Sequence, residues 1–240
     1  MTRHAMLNNV EHKDLRVETR RGAEYGDNIM YALTVPSEFR KVVADYPIFF
    51  YLDAETDKYS PVVMFGFQRG ENLYLDGQKW QATYIPLMVQ RGPFSIGLQS
   101  MTEGADATSK MVISVDMEHP RVGVDEGEPM FQPFGDNSEY TDKIVQVLHE
   151  LEHGQAMVEE FTTTLLQHDL IEPFTLGVEL NNGAKHSLEG FHTIHEEKLA
   201  ALDGKVLEDL SRRGILQACY LVVASMANIP RLIEFKNRLL

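Results

Sequence analysis

The residues best placed for chemistry are His149, Glu150 and His153, within the run His149-Glu150-Leu151-Glu152-His153. Two imidazoles four residues apart on a helix point the same way and can hold zinc. A glutamate between them can take a proton from the metal-bound water, which is hydrolase chemistry. Such a centre needs a third protein ligand. Six residues beyond His153 stands Glu159 rather than a third His, and Glu172 lies past the expected end of the helix. If Leu148 and Leu151 define a buried stripe, both imidazoles project away from its centre, and Glu152 is a charge where a metal-bearing helix is usually apolar. A chain with nine His and abundant Glu also forms this five-residue pattern by chance. The expectation is two solvated imidazoles beside acidic neighbours and no cofactor, with a zinc-dependent hydrolase as the competing reading.

Three further histidines, His186, His192 and His195, gather near one segment. Strict alternation along a strand puts His186 and His192 on one side, within reach of a site with His195, although strand histidines are more often hydrogen-bonded residents than ligands. Cys219 is the single cysteine and sits in the apolar run Ala218 to Ala224, which makes it a small buried hydrophobe rather than a nucleophile. Phosphate-cradling glycine loops, G-x-S-x-G elbows and paired-cysteine motifs are absent from the sequence.

The whole chain carries 22 Lys and Arg against 36 Asp and Glu, a formal charge of -14, which disfavours nucleic acid and anionic membrane as partners. From Glu103 to Glu160 acids far outnumber Lys110, Arg121 and Lys143, while the end of the chain is basic through Lys205, Arg212, Arg213, Arg231, Lys236 and Arg238. A solvated acidic face is the simplest account, and a docking surface for a basic partner the sharper one. The N-terminus lacks the apolar stretch of a secretory signal, and the longest apolar run is far below the roughly 20 residues of a bilayer span. The expectation is a soluble, cytoplasmic chain without a membrane span.

These residues must be positioned by ordinary elements. Residues 1–30 are polar and without sustained periodicity, which reads as a mobile arm, with a single domain over 31–240. Short strands are expected at Pro47 to Leu52, Val62 to Phe67, Asn72 to Leu75, Phe94 to Leu98 and Met111 to Val115, with Asp76-Gly77 as a turn and Pro86 opening a helical turn to Gln90. The Pro- and Gly-rich loop 120–138 is the natural place for an internal boundary. A long helix follows, capped by Thr141, with Ile144, Val147, Leu148, Leu151, Val158, Phe161, Leu165 and Leu166 on its apolar side and Gly154 as a weak point. Asn182-Gly183 fits a type I′ hairpin between Phe174 to Leu180 and Ala184 to Thr193. Two helices end the chain, His195 to Leu210 with a break at Asp203-Gly204, and Ile215 to Leu240 with a kink at Pro230. The fold class is α+β: a mainly antiparallel sheet of short strands in the N-terminal half, with the long helix, hairpin and C-terminal helices packed on it.

The densest aromatic stretch runs from Gly70 to Gly97 and holds Tyr74, Trp80, Tyr84 and Phe94. It suits a core that needs Tyr and Trp hydrogen bonds, or a recognition surface. Here the chain resembles the SapC family of bacterial proteins. The resemblance rests on Tyr46-Pro47, Gly66, Asn72-Leu73-Tyr74, Trp80, Tyr84-Ile85-Pro86, Pro93-Phe94 and Gly127-Glu128-Pro129-Met130-Phe131 ahead of Gly135 and Thr141. It continues through Phe161, Leu165, Leu166, Asn182-Gly183, Leu188 to Phe191 and Glu196 to Leu202, and so spans about Val35 to Leu240. Met130 stands where the family more often has Leu, and Gly92 where Tyr is commoner; the run from His149 to His153 is outside the recurring pattern. The resemblance implies association with the bacterial surface layer and cell envelope, and transfers no catalytic residue. The reading is therefore a non-enzymatic binding or accessory protein with a protein partner, Tyr74, Trp80, Tyr84 and Phe94 forming its recognition surface. The alternative is a metal-dependent hydrolase, or another enzyme acting on envelope peptides or glycans.

Overall fold

The computed structural model describes residues 3–100 and 109–240. Glu103, the first acid of the acidic stretch, lies outside them. The chain is α+β and divides into two compact units, each assembled from two separate segments.

The first unit comprises Met1–Asp27 and Leu87–Glu152. Its sheet has the strand Ser109–Asp116 in the middle, flanked by His4–Met6 and Phe94–Ser100, all antiparallel. A second small ribbon sets Arg16–Val17 between Val122–Gly123 and Glu128–Pro129. The N-terminal residues expected to form an arm instead supply strands to both sheets, and Leu15 and Val17 join Phe94, Val115, Met130, Ile144 and Leu148 in one apolar core. The apolar residues of this stretch, Ala5, Met6, Leu7, Val10, Leu15 and Val17, are unevenly spaced, so neither a helical nor a strand period shows. Gly127 is obligatory here: at φ 98° it lets its backbone cross Val17, whose carbonyl oxygen would stand 2.3 Å from any Cβ. Arg121 is buried against Asp27 at 2.6 Å, lies over the Tyr25 ring, and donates to the carbonyls of Glu18 and Arg20. The loop 120–138 lies wholly within this unit.

The second unit comprises Asn28–Pro86 and His153–Leu240. Its five-stranded antiparallel sheet runs in the order Ile171–Glu179, Lys185–Ile194, Ile48–Asp53, Lys58–Met64, Tyr31–Leu33. The hairpin expected to pack on an N-terminal sheet is thus part of that sheet, joined through Phe191 and His192 to Tyr51 and Phe50. Its turn is not type I′. Gly183 takes φ 81° while Asn182 keeps a negative φ, so Asn181-Asn182-Gly183 form a three-residue loop closed by hydrogen bonds from Gly183 N–H and Leu180 N–H to the Leu180 and Ala184 carbonyls. Asn181 N–H is held by the Asn237 side chain at 2.8 Å, a contact invisible to local sequence.

The long helix, Glu139–Gln167, supplies its first half to one unit and its second half to the other. Ser138, not Thr141, caps it: the Ser138 hydroxyl accepts from Thr141 N–H at 3.1 Å. The Thr141 hydroxyl turns inward and donates to the Met130 carbonyl. Ile144, Val147, Leu148, Val158, Phe161 and Leu165 are buried as the periodicity requires, whereas Leu166 is exposed. The helix ends in a Schellman arrangement, with Leu170 N–H bonded to the Leu165 carbonyl and Asp169 at φ 53° where Gly is usual. The last helices are Glu196–Ala200, Gly204–Arg212 capped by Asp203, Ile215–Ser225 and Ile229–Asn237. A 3-10 turn, Met226–Asn228, joins the final two, with Pro230 in the first turn of the last. Ile215–Asn237 is long and apolar enough, by length and composition, to cross a membrane. In the fold it is interrupted by that 3-10 turn, and Cys219, Val222, Ser225, Leu232 and Phe235 are buried.

Candidate functional site

Asp45 stands at the end of a helical turn and immediately before the strand Ile48–Asp53, where the chain turns inward. The residue is 2% exposed, and a buried carboxylate must be surrounded by donors. One oxygen accepts from the Thr83 N–H at 2.9 Å and the Thr83 hydroxyl at 2.5 Å; the other accepts from Arg231 at 2.8 Å. Its neighbour Tyr46 accepts the Trp80 indole N–H at 2.6 Å and donates its own hydroxyl to the Tyr84 carbonyl at 2.5 Å. Tyr74 donates to the Asp45 carbonyl at 2.5 Å. Burial holds the Tyr46 and Tyr74 phenols well above the usual tyrosine range, so both remain protonated donors.

The rings follow the same convergence. Tyr46 packs on Tyr74 at 4.6 Å and on Phe65 at 5.4 Å, Trp80 meets Phe65 edge-on at 5.3 Å, and Phe235 meets Tyr74 edge-on at 5.4 Å. The segment that brings them together is folded by local devices. Asn72 accepts the Tyr74 N–H at 3.0 Å in an Asx turn, and the hairpin at Asp76-Gly77 pairs Leu75 with Trp80, with Gly77 at φ 58°. Gly66 lets the chain pass the Glu71 backbone, whose oxygen would lie 2.7 Å from a Cβ. Glu71 turns inward, accepts the Phe67 N–H at 2.9 Å and pairs with Lys236. At the rim, Trp80 and Tyr84 are half-buried, the Lys41 ammonium lies 5.5 Å over the Tyr84 ring, and Arg231 is half-exposed over Phe235.

Of the four aromatic residues singled out from sequence, Tyr74, Trp80 and Tyr84 therefore meet in one cluster. Phe94 does not join them, because it is wholly buried in the core of the first unit. Sequence reasoning missed Asp45, Thr83 and Arg231. The available signals were an acid flanked by apolar residues just before a strand and a lone cation in the apolar stretch after Asn228.

His149, Glu150 and His153 are all exposed. His149 has a nearest carboxylate in Glu152, one turn on at 3.9 Å. Among the described residues no three His, Cys, Asp or Glu side chains gather in a metal-holding group. The histidines of the hairpin are separated by a β-bulge. Between the pairs Phe174–Phe191 and Leu176–Leu188 the second strand has one extra residue, beside Gly190 at φ 80°. This reverses the alternation, so Leu188 and Phe191 share a face and His186 and His192 point to opposite ones. His186 lies by Phe67, His192 packs edge-on against Tyr59 at 4.9 Å, and His195 lies 3.7 Å from Glu172. Cys219 is wholly buried, and burial pushes its thiol up to about 12, which leaves it unreactive near neutrality.

A family model described as SapC matches residues 7–232. No curated protein and no solved structure matches the chain.

Proposed function

From the premise that the chain belongs to the SapC family, we propose that it is a non-enzymatic binding or accessory protein of the bacterial cell envelope or surface layer. One observation carries the reading: the polar atoms of Asp45, Tyr46, Tyr74, Trp80 and Thr83 bond to one another, and together they hold the Trp80–Tyr84 segment rigid at the surface. Catalytic groups need unused lone pairs or protons aimed at a reacting atom; a recognition surface needs anchored aromatics with half-exposed edges and a cation at the rim. Trp80, Tyr84, Lys41 and Arg231 supply the latter.

The test is capture from native lysate, quantified by mass spectrometry, with wild type, Trp80→Ala and Lys41→Glu, after circular dichroism shows both variants folded. Lys41 is exposed, so its substitution leaves the core untouched. Envelope or export proteins enriched by wild type and lost in both variants support the proposal. The same set retained by both removes this surface from it.

A further inference from the structure

Three guanidiniums are withdrawn from water inside the first unit. Arg121 and Arg21 both bond to Asp27, through Nη2 at 2.6 Å and Nη1 at 3.4 Å. Asp27 also accepts the Gly22 N–H at 3.0 Å, so its buried carboxylate already serves three donors. Arg91 is the third guanidinium. Its Nη1 donates to the Phe94 carbonyl at 2.7 Å, but its Nε is buried with no hydrogen-bond partner among the described residues, and no carboxylate there offsets its burial.

The polar groups around it are donors. His119 Nδ1 accepts the Arg121 N–H at 3.2 Å, so the hydrogen of the neutral ring is on Nε2. Burial lowers this imidazole, and the charges of Arg121 and Arg91 lower it further against Asp116 and Asp27, which places His119 within reach of both guanidiniums. Burial pushes the Tyr140 phenol up to about 12, against the pull of Arg121 and Arg21, so it too remains a donor. There is room beside these groups. Chain neighbours apart, the one described atom within 4 Å of a Cβ built on Gly26 is His119 Nε2, at 4.0 Å, and on Gly92 it is Arg121 Cδ, at 3.9 Å.

A guanidinium stays charged in a protein, and a charge taken out of water needs a counter-charge. Asp27 is spent on Arg21, Arg121 and Gly22, and Asp116 accepts the Glu118 N–H at 3.1 Å. Donors beside an excess of positive charge fit an oxyanion. A phosphate group, with three or more acceptor oxygens and a charge of roughly -1.5 to -2, offsets three guanidiniums set against one buried carboxylate better than a second carboxylate does.

We propose that this cluster binds a phosphate group, with Arg91 as its anchor and His119 and Tyr140 as neutral donors. The chain as a whole carries a net charge of -14 and repels anions, so the affinity comes from these local groups and not from a diffuse field. The proposal does not depend on the envelope reading.

Calorimetric titration of the full chain in a phosphate-free buffer, with ionic strength balanced by sodium chloride, tests it with inorganic phosphate, glycerol 3-phosphate and acetate. Wild type should bind one phosphate per chain with a Kd of roughly 0.1–1 mM, and acetate at least about tenfold more weakly. Tighter binding of glycerol 3-phosphate than of inorganic phosphate assigns the site to a phosphate ester, and the reverse order to the free ion. Arg91→Gln, with unchanged circular dichroism, should weaken phosphate binding at least about tenfold. Tyr140→Phe, which keeps the ring beside Phe94, should weaken it about three- to tenfold, and decides the matter if Arg91→Gln does not fold. No saturable binding up to about 20 mM phosphate overturns the proposal, as do unchanged affinity in the folded variants and acetate that binds as well as phosphate.

Discussion

The indole of Trp80 donates to the hydroxyl of Tyr46 at 2.6 Å, and that hydroxyl in turn donates to the Tyr84 carbonyl at 2.5 Å. One oxygen thus fixes both ends of the Trp80–Tyr84 segment. Tyr46→Phe keeps the ring and removes the oxygen, and with it both hydrogen bonds. The expected loss is about 1–3 kcal/mol in urea unfolding. Trp80 is the only tryptophan, so its emission should change in the folded variant as well; an unaltered spectrum with unaltered stability would mean that the bond does not form in solution.

Asp45 and Arg231 form a pair of unequal partners. The carboxylate is 2% exposed and serves two Thr83 donors as well, while the Arg231 side chain is 41% exposed. Asp45→Ala should therefore cost about 2–4 kcal/mol, because it removes three hydrogen bonds to one buried carboxylate at once. Arg231→Ala should cost about 1 kcal/mol or less, its half of the pair being screened by water. Equal losses in a denaturant series would contradict this hierarchy.

Gly154 reads from sequence as a weak point in the long helix, and Ala is the better helix former by about 1 kcal/mol. The packing reverses the sign. A Cβ at 154 would lie 2.5 Å from Val35 Cγ2 and 2.7 Å from Val35 Cβ. Gly154→Ala is expected to lower stability by about 1–3 kcal/mol through overpacking, and a rise in melting temperature would show that Val35 yields easily.

His119 and His192 make folding stability fall on the acid side of neutrality. Burial depresses both imidazoles below their usual range, with Arg121 adding to the effect at His119, whose Nδ1 accepts the Arg121 N–H. The unfolded chain, with imidazoles near about 6.5, then binds more protons than the folded one just below that pH. Stability contributed by the neutral imidazoles is present above about 6.5 and is lost as pH falls through the lower folded values. Denaturation midpoints at pH 7.5 and 5.5 should differ less in a His119→Gln, His192→Gln double variant than in wild type; identical pH slopes would count against these two residues.

The exposed run from His149 to His153 yields a separate expectation. Protein purified without a His tag should carry well under one zinc per chain, and His149→Ala should leave metal content and stability within about 0.5 kcal/mol of wild type. Stoichiometric zinc that is lost in the variant would instead establish a metal site at His149 and make hydrolase activity the next measurement.

Much of the fold is written locally. The apolar spacing from Ile144 to Leu165, the Asp76-Gly77 turn and the helix start at Asp203 are all readable from short-range rules. What escapes those rules depends on partners distant in sequence. Asn237 helps set the geometry of the turn before Ala184, and a bulge beside Gly190 turns His186 and His192 apart although their even spacing promises the same face. The cluster was half-legible: its aromatics stand out in the chain, but Arg231 meets Asp45 across most of the sequence, and no spacing rule anticipates such a pair.

The division of the long helix between two units has a consequence for synthesis. The chain passes from one unit to the other after Asp27, Pro86 and Glu152. No single cut releases a whole unit, so deletion from either end damages one and strands part of the other. On the ribosome, the first unit has all its residues once Glu152 has emerged. The second begins earlier, at Asn28, and must keep the strand Ile48–Asp53 unpaired on one edge until Lys185–Ile194 arrives. During that interval the nascent chain carries an open apolar strand edge, the kind of surface on which non-native strand pairing starts.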